Sequence, residues 1–150
     1  MKALITYESV YGNTEKIAAV IAGVLKASHD VKVIRSTEVN LSDLDSLDLL
    51  IIGSPTQWNK PLPAVQNFPD RMKSRLKGLK TVLFDTRLTS KLVGIFGYAA
   101  NKMAGSLKKK GAQVLAMNGF YVGGGGIGPL KEGELERAAG WIKEILERIK

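Results

Sequence analysis

Between Tyr7 and Thr14 the chain places three hydroxyl side chains, Ser9, Tyr11 and Thr14, beside one glycine, Gly12, and one asparagine, Asn13. A β-rich apolar run, Lys2–Tyr7, precedes this segment, and a helical pattern starts at Thr14. A turn of this kind suits an anion, and a phosphate best of all. Backbone N–H groups and the positive end of the helix dipole face it, and the hydroxyls add donors. The segment holds no lysine or arginine, so the donors are neutral. The competing reading is a plain helix cap, in which Asn13 or Thr14 satisfies the first-turn amides and nothing binds.

Two further segments carry the same potential. Gly53-Ser54-Pro55-Thr56-Gln57-Trp58-Asn59-Lys60-Pro61 sets a tryptophan between two prolines in a polar loop, where it has no obvious core to join. An aromatic ligand would offer its face a stacking partner, with Thr56, Gln57 and Asn59 as donors and acceptors beside it. Otherwise Trp58 caps the sheet edge or packs on the helix that begins at Pro63. The third segment begins Asp85-Thr86-Arg87-Leu88-Thr89-Ser90. Its guanidinium either faces a ligand, pairs with Asp85 or lies in solvent.

The rest of the composition narrows the chemistry. The chain has 150 residues, no cysteine and one histidine, His29. Disulfides, thiolate metal sites, iron–sulfur clusters, cysteine nucleophiles and multi-histidine metal sites are excluded. Hydroxyls, carboxylates, backbone amides or a bound cofactor must carry any chemistry. Lys+Arg number 22 against Asp+Glu 14, a net charge of +8. Apolar residues at 45% and charged residues at 24% are ordinary globular usage. The apolar runs Leu49 to Ile52 and Leu92 to Ala100 are too short to span a bilayer. Glu8 interrupts the N-terminal apolar stretch, so no signal peptide is read there, and the cytoplasm is the expected compartment.

These segments must be positioned by an alternation of strands and helices. The expected strands are Lys2–Tyr7, Val31–Arg35, Asp48–Ile52, Thr81–Asp85 and Gln113–Met117, with Phe120-Tyr121-Val122 a candidate continuation of the last after Asn118-Gly119. The expected helices are Thr14–Ala27, one from Pro63 to Gly78 broken or kinked at Pro69, Tyr98–Lys110, and about Glu132–Ile149. The last should turn Leu135, Ala138, Ile142, Ile145 and Ile149 inward. Apolar strands alternating with helices specify an α/β domain with a parallel sheet covered on both faces, read as one domain over 1–150. In such a sheet, ligands sit beyond the C-terminal ends of the strands where the winding reverses. The three polar segments follow strands one, three and four.

The order Tyr7-x-Ser9-x-x-Gly12-x-Thr14-x-x-x-Ala18-x-x-Ile21 resembles the flavodoxin signature, whose loop holds the phosphate of FMN. Thr6 departs from it, where the pattern wants an aliphatic or aromatic residue. Gly53-Ser54-Pro55-Thr56 followed by an aromatic is similar to the flavodoxin loop that covers the isoalloxazine ring. The resemblance implies a flavodoxin-like, doubly wound sheet of order 2-1-3-4-5. It implies non-covalent FMN and the transfer of one or two electrons between redox partners. It places Ser9, Val10, Tyr11, Gly12, Asn13 and Thr14 around the phosphate. It sets Trp58 against the ring, with Pro55, Thr56, Gln57 and Asn59 at its polar edge. Asp85, Thr86 and Arg87 complete the pocket, with Tyr98 a more distant candidate. The loop after strand four departs from the family, which often uses glycines and an aromatic there. Most flavodoxins are acidic and this chain is basic, so the expected redox partner is an acidic protein, with no nucleic acid and no membrane. An electron carrier is expected rather than an enzyme. An FMN-dependent NAD(P)H:quinone-type reductase and an interaction module without FMN stay open.

Other signals read as structural. Gly123-Gly124-Gly125-Gly126-Ile127-Gly128 contains a formal GxGxxG but lacks a βαβ context, and reads as a flexible connection, with approach to a ligand left open. Asp43, Asp45 and Asp48 lack a calcium-loop spacing and His29 reads as a surface turn residue. Arg71, Lys73, Arg75, Lys77 and Lys80, with Lys108-Lys109-Lys110, read as solvated faces or a docking surface.

Overall fold

The computed structural model describes residues 1–89 and 97–149. Five strands form one parallel sheet: β1 (Lys2–Tyr7), β2 (Asp30–Arg35), β3 (Leu49–Pro55), β4 (Lys80–Leu88) and β5 (Gln113–Val122). Their order in space is β2-β1-β3-β4-β5, as expected from the sequence. The helices are α1 (Asn13–Lys26), α2 (Pro63–Gln66), α3 (Phe68–Met72), α4 (Ala99–Lys109) and α5 (Glu134–Arg148).

Both faces of the sheet are covered, which is why its central strands read as unbroken apolar runs. Side chains alternate across the sheet with period two. Ile5, Ile51 and Val82 point to the face packed by Ile17, Ile21 and Leu25 of α1 and Ala138, Ile142 and Ile145 of α5. Leu4, Leu50, Ile52 and Leu83 point to the other, packed by Val65, Phe68, Met72 and Leu76 and by Met103 and Leu107 of α4. Gly53 lies opposite Phe84 on the neighbouring strand, and the Phe84 ring fills the space a β-carbon would take. Phe84, Phe120 and Trp141 then form an edge-to-face aromatic row across β4, β5 and α5.

The structure corrects several element boundaries. β3 runs on through Gly53, Ser54 and Pro55, β4 through Leu88, and β5 is one strand to Val122. Each extension falls at the C-terminal end, where pairing with a neighbour overrides local turn signals. The segment after Pro63 is two short helices and a 3-10 turn at Lys73–Leu76, with Pro69 in the first turn of α3. There its missing N–H costs nothing. Leu135 is exposed rather than inward, and the buried residue at that end of α5 is Glu134.

Glu134 is buried because it finishes the outer edge of β5. Its carboxylate accepts from Tyr121 N–H at 2.7 Å and from Arg137 Nε at 2.8 Å. Arg137 also donates to the Gly119 carbonyl and to Asn118 Oδ1 at 3.2 Å. Arg137 holds the Glu134 carboxyl below the usual carboxylate range, despite the burial that opposes this. A depressed carboxyl stabilises the fold above its ordinary value and loses that contribution as pH falls through the depressed one. Glu134→Gln is therefore expected to lose about 1–2 kcal/mol at pH 7. In urea melts at falling pH, the difference from wild type should shrink through the acid limb; a gap that stays constant would remove the ionised carboxylate as its cause.

Candidate functional site

The β1–α1 turn is built around Gly12, which adopts φ 89° as the residue before the helix. No side chain caps α1. Ser9 Oγ accepts from Gly12 N–H at 3.1 Å, so it shapes the turn. Asn13 is buried and donates Nδ2–H to the Ile127 carbonyl at 2.9 Å. Thr14 Oγ1 meets Thr86 Oγ1 at 2.9 Å. The cap reading is thus corrected: Asn13 and Thr14 face across the site, and the first-turn amides of α1 keep their donors free of side-chain caps. Arg35, from the end of β2, reaches the turn from outside, with Nη1 at 3.2 Å from Glu8 Oε1 and 3.3 Å from the Ser9 carbonyl. Thr6, the departure from the signature, hydrogen-bonds Ser36 Oγ at 3.0 Å in the interior, which satisfies its hydroxyl.

The loop after β3 is pinned at its base. Ser54 Oγ accepts from Leu62 N–H at 3.0 Å, and Thr56 N–H donates to the Thr86 carbonyl at 2.8 Å. Gln57 and Lys60 exchange backbone hydrogen bonds at 2.9 and 3.1 Å, closing a two-residue turn. Its central residues, Trp58 and Asn59, hold φ of 51° and 66°. A bulky residue rarely takes positive φ, and such positions concentrate where a ligand or partner is engaged. Trp58 is 90% exposed. Asn59 Nδ2 lies 3.4 Å from the Gly97 carbonyl, and Thr56 Oγ1 accepts from Ala99 N–H at 2.9 Å, so the loop leans on the start of α4.

The end of β4 carries a buried ion pair. Asp85 is fully buried, and Arg87 grips it through Nε and Nη2 at 2.6 and 2.7 Å. Ala100 N–H adds a bond at 2.9 Å. Burial pushes the Asp85 carboxyl up, while Arg87, Ala100 and Thr56 act in the opposite direction. The Arg87 guanidinium lies 3.4 Å from the Tyr98 ring centroid and against Gly119, where a β-carbon would collide with it. Arg87 pairs with Asp85 and also borders the cavity at this edge, so pairing does not remove it from a ligand's reach.

These segments enclose a cavity of about 190 Å³ at the C-terminal edge of the sheet. Its walls include Ser9, Val10, Tyr11, Asn13, Thr14, Pro55, Thr56, Gln57, Thr86 and Arg87. Asp85 is enclosed behind Arg87, and Trp58 and Asn59 stand outside the cavity wall. The part of the 88–97 loop from 90 to 96, with Phe96, lies outside the described residues.

The structure also brings in a wall that sequence reasoning set aside. Gly125, Gly126 and Ile127 line the cavity with Leu88 and Val122. Gly124, Gly125, Gly126 and Gly128 all have positive φ, which folds the run back over the β1–α1 turn. A β-carbon on Gly128 would lie 2.8 Å from Asn13 Oδ1. The signal was present as a run of glycines, the residues most at ease with positive φ, but no spacing rule links it to a segment more than 100 residues earlier. The glycine run gains its place from the Asn13–Ile127 hydrogen bond. Asn13→Ala is expected to speed amide exchange in 124–128 about fivefold, one net hydrogen bond's worth, with the sheet amides unchanged. Exchange measured by NMR checks this, and unchanged rates in 124–128 would dismiss the latch.

The chain is an open, doubly wound α/β protein with an uncapped helix start and two flanking loops around a cavity at the C-terminal edge of its sheet, the edge where ligands of such folds sit. Comparisons then supply the family. A family model described as a flavodoxin domain matches residues 4–121. The chain is 38% identical over 86 residues to a probable flavodoxin 1 of Bacillus subtilis, covering 55% of this chain and 54% of that protein. It is 34% identical over 83 residues to a flavodoxin of Clostridium beijerinckii, covering 53% and 60%. The chain thus spans about half the length of the curated relatives it matches. Flavodoxin 1 from Bacillus cereus superposes with a TM-score of 0.79 over 98% of both chains at 23% identity, a likeness of fold. The chain belongs to the flavodoxin family, whose members are FMN-binding proteins.

Proposed function

We propose that this chain binds FMN without a covalent link and carries electrons between partner proteins. One observation carries the reading: the first turn of α1 has no side-chain cap, and it opens into a cavity flanked by the β3 and glycine segments. Uncapped amides at a helix start are anion donors. The residues fit the cofactor. A cavity of about 190 Å³ is smaller than a site that swallows a whole drug-sized ligand. It suits the phosphate and its chain, and leaves a flat ring at the mouth. Trp58 and Tyr11, both exposed there, are the aromatic surfaces available to such a ring.

FMN would supply the redox chemistry, and the chain its binding, orientation and electrostatics. The amides of the β1–α1 turn and the Thr14 hydroxyl hold the phosphate. The 55–59 loop meets the ring's face and polar edge. Asp85 and Arg87 form an electroneutral pair behind it, so neither delivers a full charge to the cofactor. An acidic partner suits a chain of net charge +8. Val10, Tyr11, Trp58 and Ile127 are the exposed apolar residues around the mouth, with Lys60 in the same loop as Trp58.

Fluorescence titration of the purified protein tests the binding. FMN should bind more tightly than riboflavin, which lacks the phosphate. Thr14→Ala should weaken FMN by about five- to tenfold, a hydrogen bond to a charged group, and riboflavin far less. Equal affinities for the two flavins in the wild type would refute the phosphate assignment. For Arg87→Ala the second-electron midpoint should move by less than about 60 mV, a tenfold change for one electron. The same change should destabilise the fold by about 3–5 kcal/mol, because Asp85 loses its buried partner. A larger shift in a redox titration would mean that the Arg87 charge acts on the cofactor directly.

A further inference from the structure

Two basic runs far apart in sequence meet at the N-terminal edge of the sheet, the pole opposite the cavity. The run from Arg71 to Lys80 descends to that edge, from Arg71 beside Ser36 past the far end of β2 to Lys77 and Lys80, and Lys108, Lys109 and Lys110 form the other. Gly78 N–H donates to the Gly111 carbonyl at 2.8 Å, and a β-carbon on Gly111 would sit 3.3 Å from Lys77 Cγ. Lys110 Nζ lies 3.1 Å from Asp70, and Lys80 pairs in register with Gln113. The two turns therefore touch.

Not all of these cations face solvent alone. Arg71 donates to the Ser36 and Val39 carbonyls, both at 2.7 Å, Arg75 pairs with Asp45, and Lys110 pairs with Asp70. Lys73, Lys77, Lys80, Lys108 and Lys109 are exposed and have no acidic partner among the described residues. The C-terminal dipole of α4 offsets part of the charge on Lys108 and Lys109. Lys73, Lys77 and Lys80 lie outside that helix. Asp48 shares a surface hollow with Lys77 and Lys80 but forms no ion pair with either, so positive charge stays in excess at this pole, and the arrangement favours an external polyanion.

The chemistry of the patch selects among polyanions. Of the exposed large apolar residues, Val10, Trp58 and Ile127 lie at the cavity end, while Met1, beside Lys77 and Lys80, and Leu41, beside Arg75, are single aliphatic side chains that make no clustered aromatic or aliphatic anchors. A protein partner would need such anchors, and lysine is depleted in protein interface cores. Single-stranded nucleic acid would need aromatic stacking platforms. The five unpaired cations are all lysines, with no guanidinium fork among them for bidentate phosphate or base contacts. A layer of anionic lipid head groups asks only for clustered positive charge within a Debye length. The geometry points to this pole as a docking surface for an anionic phospholipid bilayer, with the cavity facing away into solvent. The sequence reading had no membrane partner because it weighed spanning segments. Adsorption needs none, and no described helix is long and apolar enough to cross a membrane. The inference rests on charge placement and stands apart from what the cavity binds.

The test is co-sedimentation of the full chain with phosphatidylglycerol-containing and pure phosphatidylcholine vesicles. Binding is expected only to the anionic vesicles, and should be lost as salt rises several-fold. Lys77→Gln with Lys109→Gln should weaken it about 25-fold, about fivefold per lysine. The charge-matched pair Lys131→Gln with Lys143→Gln, placed elsewhere on the surface, should change it less than twofold. Thermal melts of both variants should match wild type. Equal losses for the two pairs would overturn the patch in favour of net charge alone. Binding to phosphatidylcholine, no binding to either vesicle, or tighter binding to short duplex DNA at the same ionic strength would each overturn the lipid assignment.

Discussion

The turn at Gly12 is the constraint from which the site follows. A parallel sheet delivers β1 to its C-terminal edge, and the chain must enter α1 at once. Gly12 makes that entry at positive φ and leaves the helix start without a side-chain cap. In most helices a serine, threonine or aspartate would close those amides. Here the residues with that ability point elsewhere. Asn13 reaches the glycine run and Thr14 reaches Thr86. The first-turn amides are therefore left open to the proposed phosphate, with the Thr14 hydroxyl beside them in the cavity wall.

The other polar groups of the sheet edge serve the same turn indirectly. Ser54, Thr86 and Asp85 are buried at the ends of β3 and β4, where apolar residues would pack as well. Each holds a loop that walls the cavity. Ser54 fixes the return of the 55–62 loop, Thr86 ties it to β4, and Asp85 anchors Arg87 and the start of α4. Buried polar groups with all partners satisfied specify one arrangement of their loops. No buried side-chain polar atom among the described residues lacks a partner.

The two ends of the sheet differ in chemistry as well as in position. The C-terminal edge gathers neutral donors, glycines and exposed aromatics around a cavity. The N-terminal edge gathers lysines on turns that a pair of glycines presses together.

Much of this was legible in the chain. Short apolar, β-rich runs placed all five strands and period-3.6 patterns the main helices, because a sheet covered on both faces writes a continuous apolar run and a helix stripe writes its period into the sequence. The spacing from Tyr7 to Ile21 located the β1–α1 turn, since strand, turn and helix are consecutive there. Long-range pairing decided the rest. Whether β3 continues through Pro55 depends on β4 beside it. Whether Leu135 or Glu134 is buried depends on the open edge of β5. The placement of Arg87 follows from a carboxylate two residues away on the same strand and from Tyr98 in the next segment. The glycine run became a wall of the cavity only through Asn13, 114 residues earlier. Local patterns record which face of an element is dry, whereas contacts between elements are chosen by the packing of the whole sheet, and no single segment carries that information.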